Sequence, residues 1–201
     1  MKVYCAGPLF NSREKGEMAE IAQALEKEGF DVFLPQRDGL EFSVCLRTLL
    51  ASGVDQHVAS ELLSRAIYAL DVYQVVEACD GMVVNLNGRV PDEGAVAEAA
   101  LAWYAGKAIV AYKSDVRSMI NGSDNPLVMG LFGFRASATI PDAVECVKKE
   151  LTSSAPFRLK ERKHEVEACL DFGRRIWNLL RAEDVDTLVR VLLESQESRV
   201  Q

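Results

Sequence analysis

Short apolar runs alternate with longer stretches of helical spacing over the first 150 residues. Lys2–Ala6 (KVYCA), 31–34 (DVFL), 81–86 (GMVVNL) and Ala108–Tyr112 (AIVAY) read as strands, with 137–140 as a weaker fifth. Between them, apolar positions three and four apart predict helices over 12–29, 58–78, 95–105 and from Pro141 to residue 151. Ser12 stands where the first helix needs a cap, and Gly29 where it must stop. Residues 35–55 are irregular, with a short helix near 44–50. Strands that alternate with helices imply right-handed crossovers. The pattern therefore predicts a doubly wound, flavodoxin-like α/β fold with a parallel sheet of about five strands. Ligands of such sheets bind beyond the carboxyl ends of the strands. That edge gathers 6–10, 85–93 and 113–117.

Residues 152–157, with Ser153, Ser154 and Pro156, read as a linker. It separates an α/β domain over 1–152 from a helical extension over 158–201. Val166, Cys169, Leu170, Ile176, Trp177 and Leu180 form the apolar stripe of a helix over 161–180, and a second helix follows over 185–195. The extension either packs on the domain or mediates self-association, and packing is the preferred reading.

Composition narrows the function. The 201 residues, 49% hydrophobic and 26% charged, suffice for one full core and an appendage. A formal net charge of −7 with no basic stripe argues against polymeric nucleic acid as a partner. No apolar run is long enough for a bilayer, so no membrane partner is expected. The first ten residues read as a strand and a turn, too short for a signal peptide. The cysteines, at 5, 45, 79, 146 and 169, contain no CxxC and are expected to be reduced, buried thiols of a cytoplasmic protein. Two histidines, His57 and His164, leave almost no material for a His-based metal site, so no metal is expected.

One carboxylate stands out. Glu98 is the only charged residue between Gly94 and Gly106, in GAVAEAALAWYAG. A carboxylate on a buried helix is costly unless it is paired or used. Paired, it meets an Arg or Lys. Used, it suits nucleophilic attack on a sugar carbon, with Asp92 at the helix start holding a sugar hydroxyl. Tyr4, on the first strand next to the turn, either hydrogen-bonds a carboxylate at the strand ends or is an ordinary core tyrosine. Asp71 either points along its helix edge into the cleft or is a solvated acid. Asp80 reads as structural. Gly7 permits close backbone approach to a ligand, or simply a tight turn. The turn lacks both GxGxxG and GxxxxGK[ST], which speaks against a nucleotide cofactor of either type. Asp115 and Arg117 either pair or line the cleft.

Taken together, YCAGPLF at 4–10, ALDVYQVVEACDGMVVNL at 69–86 and GRVPDEGAVAEAALAWYAGK at 88–107 resemble the nucleoside 2-deoxyribosyltransferase family, and KSDVRSMINGSDNP at 113–126 is compatible with it. The resemblance covers roughly residues 1–150. It implies Glu98 as nucleophile at the anomeric carbon, Tyr4 orienting it, and Asp71 managing a proton near the departing base. It implies Asp92 near the sugar hydroxyls and the Gly7 turn close to the substrate. Pro8 and Phe10 beside Gly7, and Glu93 and Gly94 beside Asp92, complete the expected binding set. The family commonly adds an Asn after strand four from a neighbouring subunit, and Asn125 is the candidate here. The resemblance implies nucleosides and nucleobases as partners, no metal or other cofactor, and a homo-oligomer. The implied reaction is transfer of 2-deoxyribose between bases through a covalent intermediate on Glu98. Alternatives are an N-glycosidase of 2-deoxynucleoside 5′-monophosphates, with Ser12, Arg13, Arg117 and Ser118 around the phosphate, and a non-catalytic nucleotide-binding module.

Overall fold

A computed structural model describes residues 1–88, 90–115 and 124–197. Four strands form one parallel sheet: β1 (Lys2–Ala6), β2 (Asp31–Phe33), β3 (Gly81–Asn85) and β4 (Ala108–Tyr112), in the order β2-β1-β3-β4. The chain reverses direction across the sheet between β1 and β3, which is the ligand-binding crevice of a doubly wound fold. Tyr4 lies opposite Phe33 on one side and Met82 on the other, and Asn85 lies opposite Tyr112.

Because side chains alternate along a strand, each face of the sheet has its own core. On one face Val3, Cys5 and Val83 pack with Met18, Ile21 and Leu25 of α1 (Ser12–Lys27) and Val144 and Val147 of α7 (Ile140–Thr152). On the other, Tyr4, Met82 and Val84 pack with Ala95, Ala99 and Ala102 of α5 (Glu93–Tyr104). Every residue of β3 and β4 is buried, as expected of strands covered on both faces.

The first helix starts at Ser12, where its pattern begins, but its cap is the residue before. Asn11, not Ser12, is the cap: its Oδ1 accepts from the backbone N–H groups of Arg13 and Glu14, each at 3.0 Å. Glu14 reaches back to accept from the N–H of Phe10 at 2.9 Å. The irregular stretch holds two helices, α2 (Pro35–Asp38) and α3 (Phe42–Ala51). The long pattern over 58–78 is two structures, α4 (Gln56–Tyr73) and a π-turn (Gln74–Ala78). Asp80 is structural, its carboxylate accepting from the backbone N–H of Lys2 at 2.8 Å.

The fifth strand does not form. Ser137 alone bridges to Tyr112, because Thr139 caps α7 through the N–H of Asp142 and Pro141 draws Ile140 into that helix. The linker is likewise shorter than 152–157. α7 ends at Thr152 and α8 (Ala155–Arg181) begins after only two intervening residues, since Pro156 is tolerated in a first helical turn. Arg158, in that turn and nearly buried, donates Nε to the carbonyl of Gly106 at 2.8 Å and Nη1 to those of Glu150, at 3.0 Å, and Ser153. It thereby satisfies carbonyls beyond the ends of α5 and α7.

The chain divides into two compact units, Met1–Arg158 and Leu159–Gln201. The second is a helical hairpin: most of α8, then α9 (Val185–Glu197), joined by a turn in which Glu183 takes φ 54°. Asp184 caps α9, accepting from the N–H of Thr187 at 3.0 Å, and Arg175 pairs with Glu194 at 3.6 Å. All five cysteines are free. Cys5 and Cys79 are buried as expected, but Cys146 and Cys169 are exposed because they fall on the outer sides of α7 and α8. Among the described residues no helix is long and apolar enough to cross a membrane.

Candidate active site

Ala95, Ala99 and Ala102 bring the backbone of α5 close to the sheet, and the same turn of helix carries Glu98 toward β1. Tyr4 donates its phenolic proton to Glu98 Oε1 at 2.7 Å. The Tyr4 ring is fully buried and lies against Phe33, centroids 5.3 Å apart, so the hydroxyl is held rigidly. Asp71, in the last turn of α4, places Oδ1 3.4 Å from the same hydroxyl. A phenol carries one proton. The shorter contact takes it, and the longer one becomes a full partnership when Asp71 is protonated and donates to the phenolic oxygen.

Burial raises the Glu98 carboxyl to about 7; the Tyr4 hydrogen bond pulls it down, while the charges of Asp71 and Asp92 push it further up. Burial also raises Asp71, against the same Tyr4 hydrogen bond. Tyr4 is pushed far above its usual range, by burial first and then by Glu98 and Asp71, and stays protonated at any physiological pH. Among the described residues no Lys or Arg pairs with Glu98. The π-turn follows Asp71 at three residues' distance, and its wider winding is a frequent feature of functional sites. Gln74 anchors it by accepting from Lys2 Nζ at 3.0 Å.

Asp92 caps α5, its Oδ2 accepting from the N–H of Ala95 at 2.7 Å. A Cβ at Gly94 would stand 3.1 Å from that oxygen, so glycine leaves the cap undisturbed. Gly7 is required by space: a Cβ there would lie 2.5 Å from Met18 Sδ and 2.8 Å from Asn85 Cβ. Pro8 is buried beside it, while Phe10 is 79% exposed and Glu93 is exposed. Asn125 caps α6 (Pro126–Gly130), accepting from the N–H of Leu127 at 2.9 Å. Tyr4, Asp71 and Glu98 are thus brought together, with Asp92 near enough to act on Glu98 by charge. No hydrogen bond joins Phe10, Glu93 or Asn125 to them. Ser12 and Arg13 are exposed on the first turn of α1, and Arg117 and Ser118 lie outside the described residues.

Sequence reasoning passed over a second polar set on the other face of the sheet. Glu17 accepts from Asn85 Nδ2 at 2.9 Å, Asn87 Nδ2 at 2.8 Å and the Tyr112 hydroxyl at 3.2 Å. Asn87 Oδ1 accepts from the N–H groups of Ser114 and Asp115, both at 2.9 Å, and so joins the loop after β3 to the loop after β4. Lys113 Nζ donates to the carbonyl of Leu86 at 2.9 Å and meets the carboxylate of Asp124 at 3.1 Å, both side chains being nearly buried. The one signal was Asn85, a polar residue ending an otherwise apolar strand.

A parallel sheet in this order, with helices on both faces and carboxylates gathered at its carboxyl edge, defines a doubly wound α/β protein. The model of the family described as nucleoside 2-deoxyribosyltransferase matches residues 3–168, and the chain belongs to that family. Among solved structures, a conserved protein from Enterococcus faecalis V583 is similar at 21% identity and TM-score 0.53, over 74% of this chain and 98% of that one. A 2-desoxiribosyltransferase from Leishmania mexicana is similar at 16% identity and TM-score 0.49, over 72% and 97%. A 2-deoxyribosyltransferase from Bacillus psychrosaccharolyticus is similar at 17% identity and TM-score 0.48, over 65% and 81%. No curated protein matches the chain.

Proposed function

We propose that this protein transfers 2-deoxyribose between nucleobases, with Glu98 as the nucleophile. Ionised Glu98 attacks C1′ of a 2-deoxynucleoside as the C1′–N bond breaks, and the bonding electrons leave with the base. Asp71, whose hold on a proton is strengthened by burial, gives that base a proton. The result is a deoxyribosyl ester on Glu98. A second base then attacks C1′, returns a proton to Asp71 and releases the Glu98 carboxylate. Two inversions give net retention. Tyr4 steadies the carboxylate through its 2.7 Å hydrogen bond and leaves the other oxygen to react. Asp92, with one oxygen committed to the helix cap, uses the other to hold a sugar hydroxyl. Asn125 reaches the sugar site of a neighbouring subunit through its amide nitrogen, since its oxygen serves α6. Gly7, Pro8, Phe10, Glu93 and Gly94 line the substrate. Five unpaired cysteines suit a reducing cytoplasm.

The observation that carries this reading is the half-buried Glu98 with a phenol as partner and no cation paired to it among the described residues. The surplus of acid around it, from Asp71 and Asp92, favours a neutral nucleoside over a 5′-monophosphate, whose added charge would meet the same repulsion. The test offers a deoxynucleoside and its 5′-monophosphate, each with and without a free acceptor base. Exchange that needs the acceptor base and prefers the nucleoside supports the proposal. Hydrolysis confined to the monophosphate sinks it in favour of the N-glycosidase, and binding without release of base sinks both.

A further inference from the structure

Two side chains of β1 meet the end of α4 one after the other. Lys2 and Tyr4 are two apart on a strand and so share the α5 face of the sheet. Asp71 and Gln74 are three apart on one helical winding and so share a face of it. Tyr4 places its hydroxyl 3.4 Å from Asp71 Oδ1, and Lys2 donates Nζ to Gln74 Oε1 at 3.0 Å. The two contacts are successive rungs between one strand and one helix. The inner rung belongs to the cluster around Glu98, and the outer rung lies beside it.

That outer rung sits where the winding changes. An α-helix fixes the angle between any two of its residues. The π-turn that starts at Gln74 winds more widely: the N–H of Cys79 closes onto the carbonyl of Gln74 at 2.8 Å, five residues back. The angle at which Asp71 faces the sheet is therefore not dictated by the chain that follows it. Lys2 supplies a fixed point on both sides of the turn. Its Nζ holds Gln74, where the turn begins. Its backbone N–H donates to Asp80 Oδ2 at 2.8 Å, and its carbonyl accepts from the N–H of Asp80 at 2.8 Å, just beyond where the turn ends. The same ammonium stands 5.5 Å from the centroid of Phe33, the ring that packs on Tyr4. Gln74 is only 8% exposed. An apolar side chain would fill that place without desolvating an amide, whereas a satisfied polar one fixes a single arrangement.

We propose that Lys2 is a positioning residue: by tying both ends of the π-turn to β1 it sets the register of α4 and aims Asp71 at the Tyr4 hydroxyl. It works by geometry rather than charge. Asp71 is shifted by burial and then by Tyr4, and Glu98 by burial, Tyr4, Asp71 and Asp92; Lys2 adds to neither. Its bearing on turnover rests on the reading of Asp71 as the group that gives the base a proton, while the placement itself is tested without turnover.

The test uses the full chain with Lys2→Met, which removes the donor and keeps the backbone bonds to Asp80, and separately with Gln74→Met, which removes the acceptor. NMR of isotope-labelled carboxyl groups follows the titration of Glu98. Freeing Asp71 from the cluster takes its charge away from Glu98, so each variant should lower the Glu98 midpoint by at least about 0.5 pH unit, the direction expected of Asp71→Asn. Neither should lower it further when Asp71→Asn is already present, because the effect runs through Asp71. Lys2→Arg, which keeps the donor and the cation, should leave the midpoint at its wild-type position. Base exchange should fall about tenfold in each Met variant, and by less than about twofold in the Asp71→Asn background. A merely structural role would lower it equally in both backgrounds. Circular dichroism checks that the variants fold, and either Met variant suffices for the decision. A Glu98 midpoint that does not move, or a shift that persists undiminished beside Asp71→Asn, would overturn the proposal whatever the activities. If the midpoint moves as expected while Asp71→Asn exchanges bases at the wild-type rate, the positioning role stands and the proton role of Asp71 falls.

Discussion

At one edge of one sheet, its two faces treat carboxylates in opposite ways. On the α1 face Glu17 accepts three hydrogen bonds, and Asp124 meets Lys113 at 3.1 Å. On the α5 face Glu98 and Asp71 share a single phenol, and no cation among the described residues pairs with either. Saturated acids hold backbone in place, here the loops after β3 and β4. Acids short of donors are raised by their burial and keep a lone pair free for chemistry. The difference separates structural from chemical carboxylates without reference to conservation, and it can be broken from either side.

The largest effect is expected on the undersaturated face. Glu98→Ala should lower base exchange by at least about 10³-fold while the protein keeps its secondary structure and cooperative unfolding. Residual exchange above a few per cent, in protein shown to be free of wild type, would move the nucleophile elsewhere. On the saturated face the loss should be one of stability. Lys113→Met leaves the carboxylate of Asp124, 2% exposed, without its cation. That should cost about 3 kcal/mol in urea unfolding. Adding Asp124→Asn in the same chain should recover part of the loss, since the stranded charge disappears. A single variant within 1 kcal/mol of wild type would show that this ion pair is not the support described here.

Legibility in the sequence followed the same division. Strands β1, β3 and β4 were readable because each is an apolar run bounded by turn residues, and Glu98 because it is a lone charge on an apolar helix. Local signals of that kind need no knowledge of what folds against them. Asn11 was passed over for Ser12 because both are good caps and only backbone geometry chooses between them. The fifth strand failed because Thr139 and Pro141 serve α7 better than the sheet. Lys113 with Asp124, and Asn87 with Glu17, were invisible for a different reason: each pair is formed by tertiary approach, and neither partner is unusual in its own segment. Arg158 is the same case, an ordinary cation just past the expected linker until Gly106 is brought to it.

Linkage gives the next prediction. Glu98 titrates near 4.5 when unfolded and near 7 when folded. Below the first value both states hold the proton. Between the two the folded state keeps a proton that the unfolded chain releases, so stability falls as pH rises; above 7 the loss is complete. Glu98→Gln removes the titration and should stabilise the protein at pH 8 by on the order of 2 kcal/mol, with little change at pH 5. Equal effects at the two pH values would mean that the acid is not burdened by burial, and the contrast between the faces would be lost.

The smallest effect is also the sharpest, because two neighbours of Glu98 should move it in opposite directions. The Tyr4 hydrogen bond favours the ionised carboxylate, and the Asp71 charge disfavours it. Attack requires the ionised form, so kcat/KM should rise with pH through the Glu98 titration. Tyr4→Phe removes the favouring contact and should shift that limb to higher pH, with about a tenfold loss of rate at neutrality. Asp71→Asn removes the opposing charge and should shift the limb lower, even though the loss of its proton reduces the amplitude. Amplitude and position are separate readings of one profile over pH 5–9, so a drop in rate in both variants does not hide the signs. Limbs that move together would mean that Asp71 acts on Glu98 through packing rather than charge, and that the Tyr4 hydroxyl is not the hinge between the two acids.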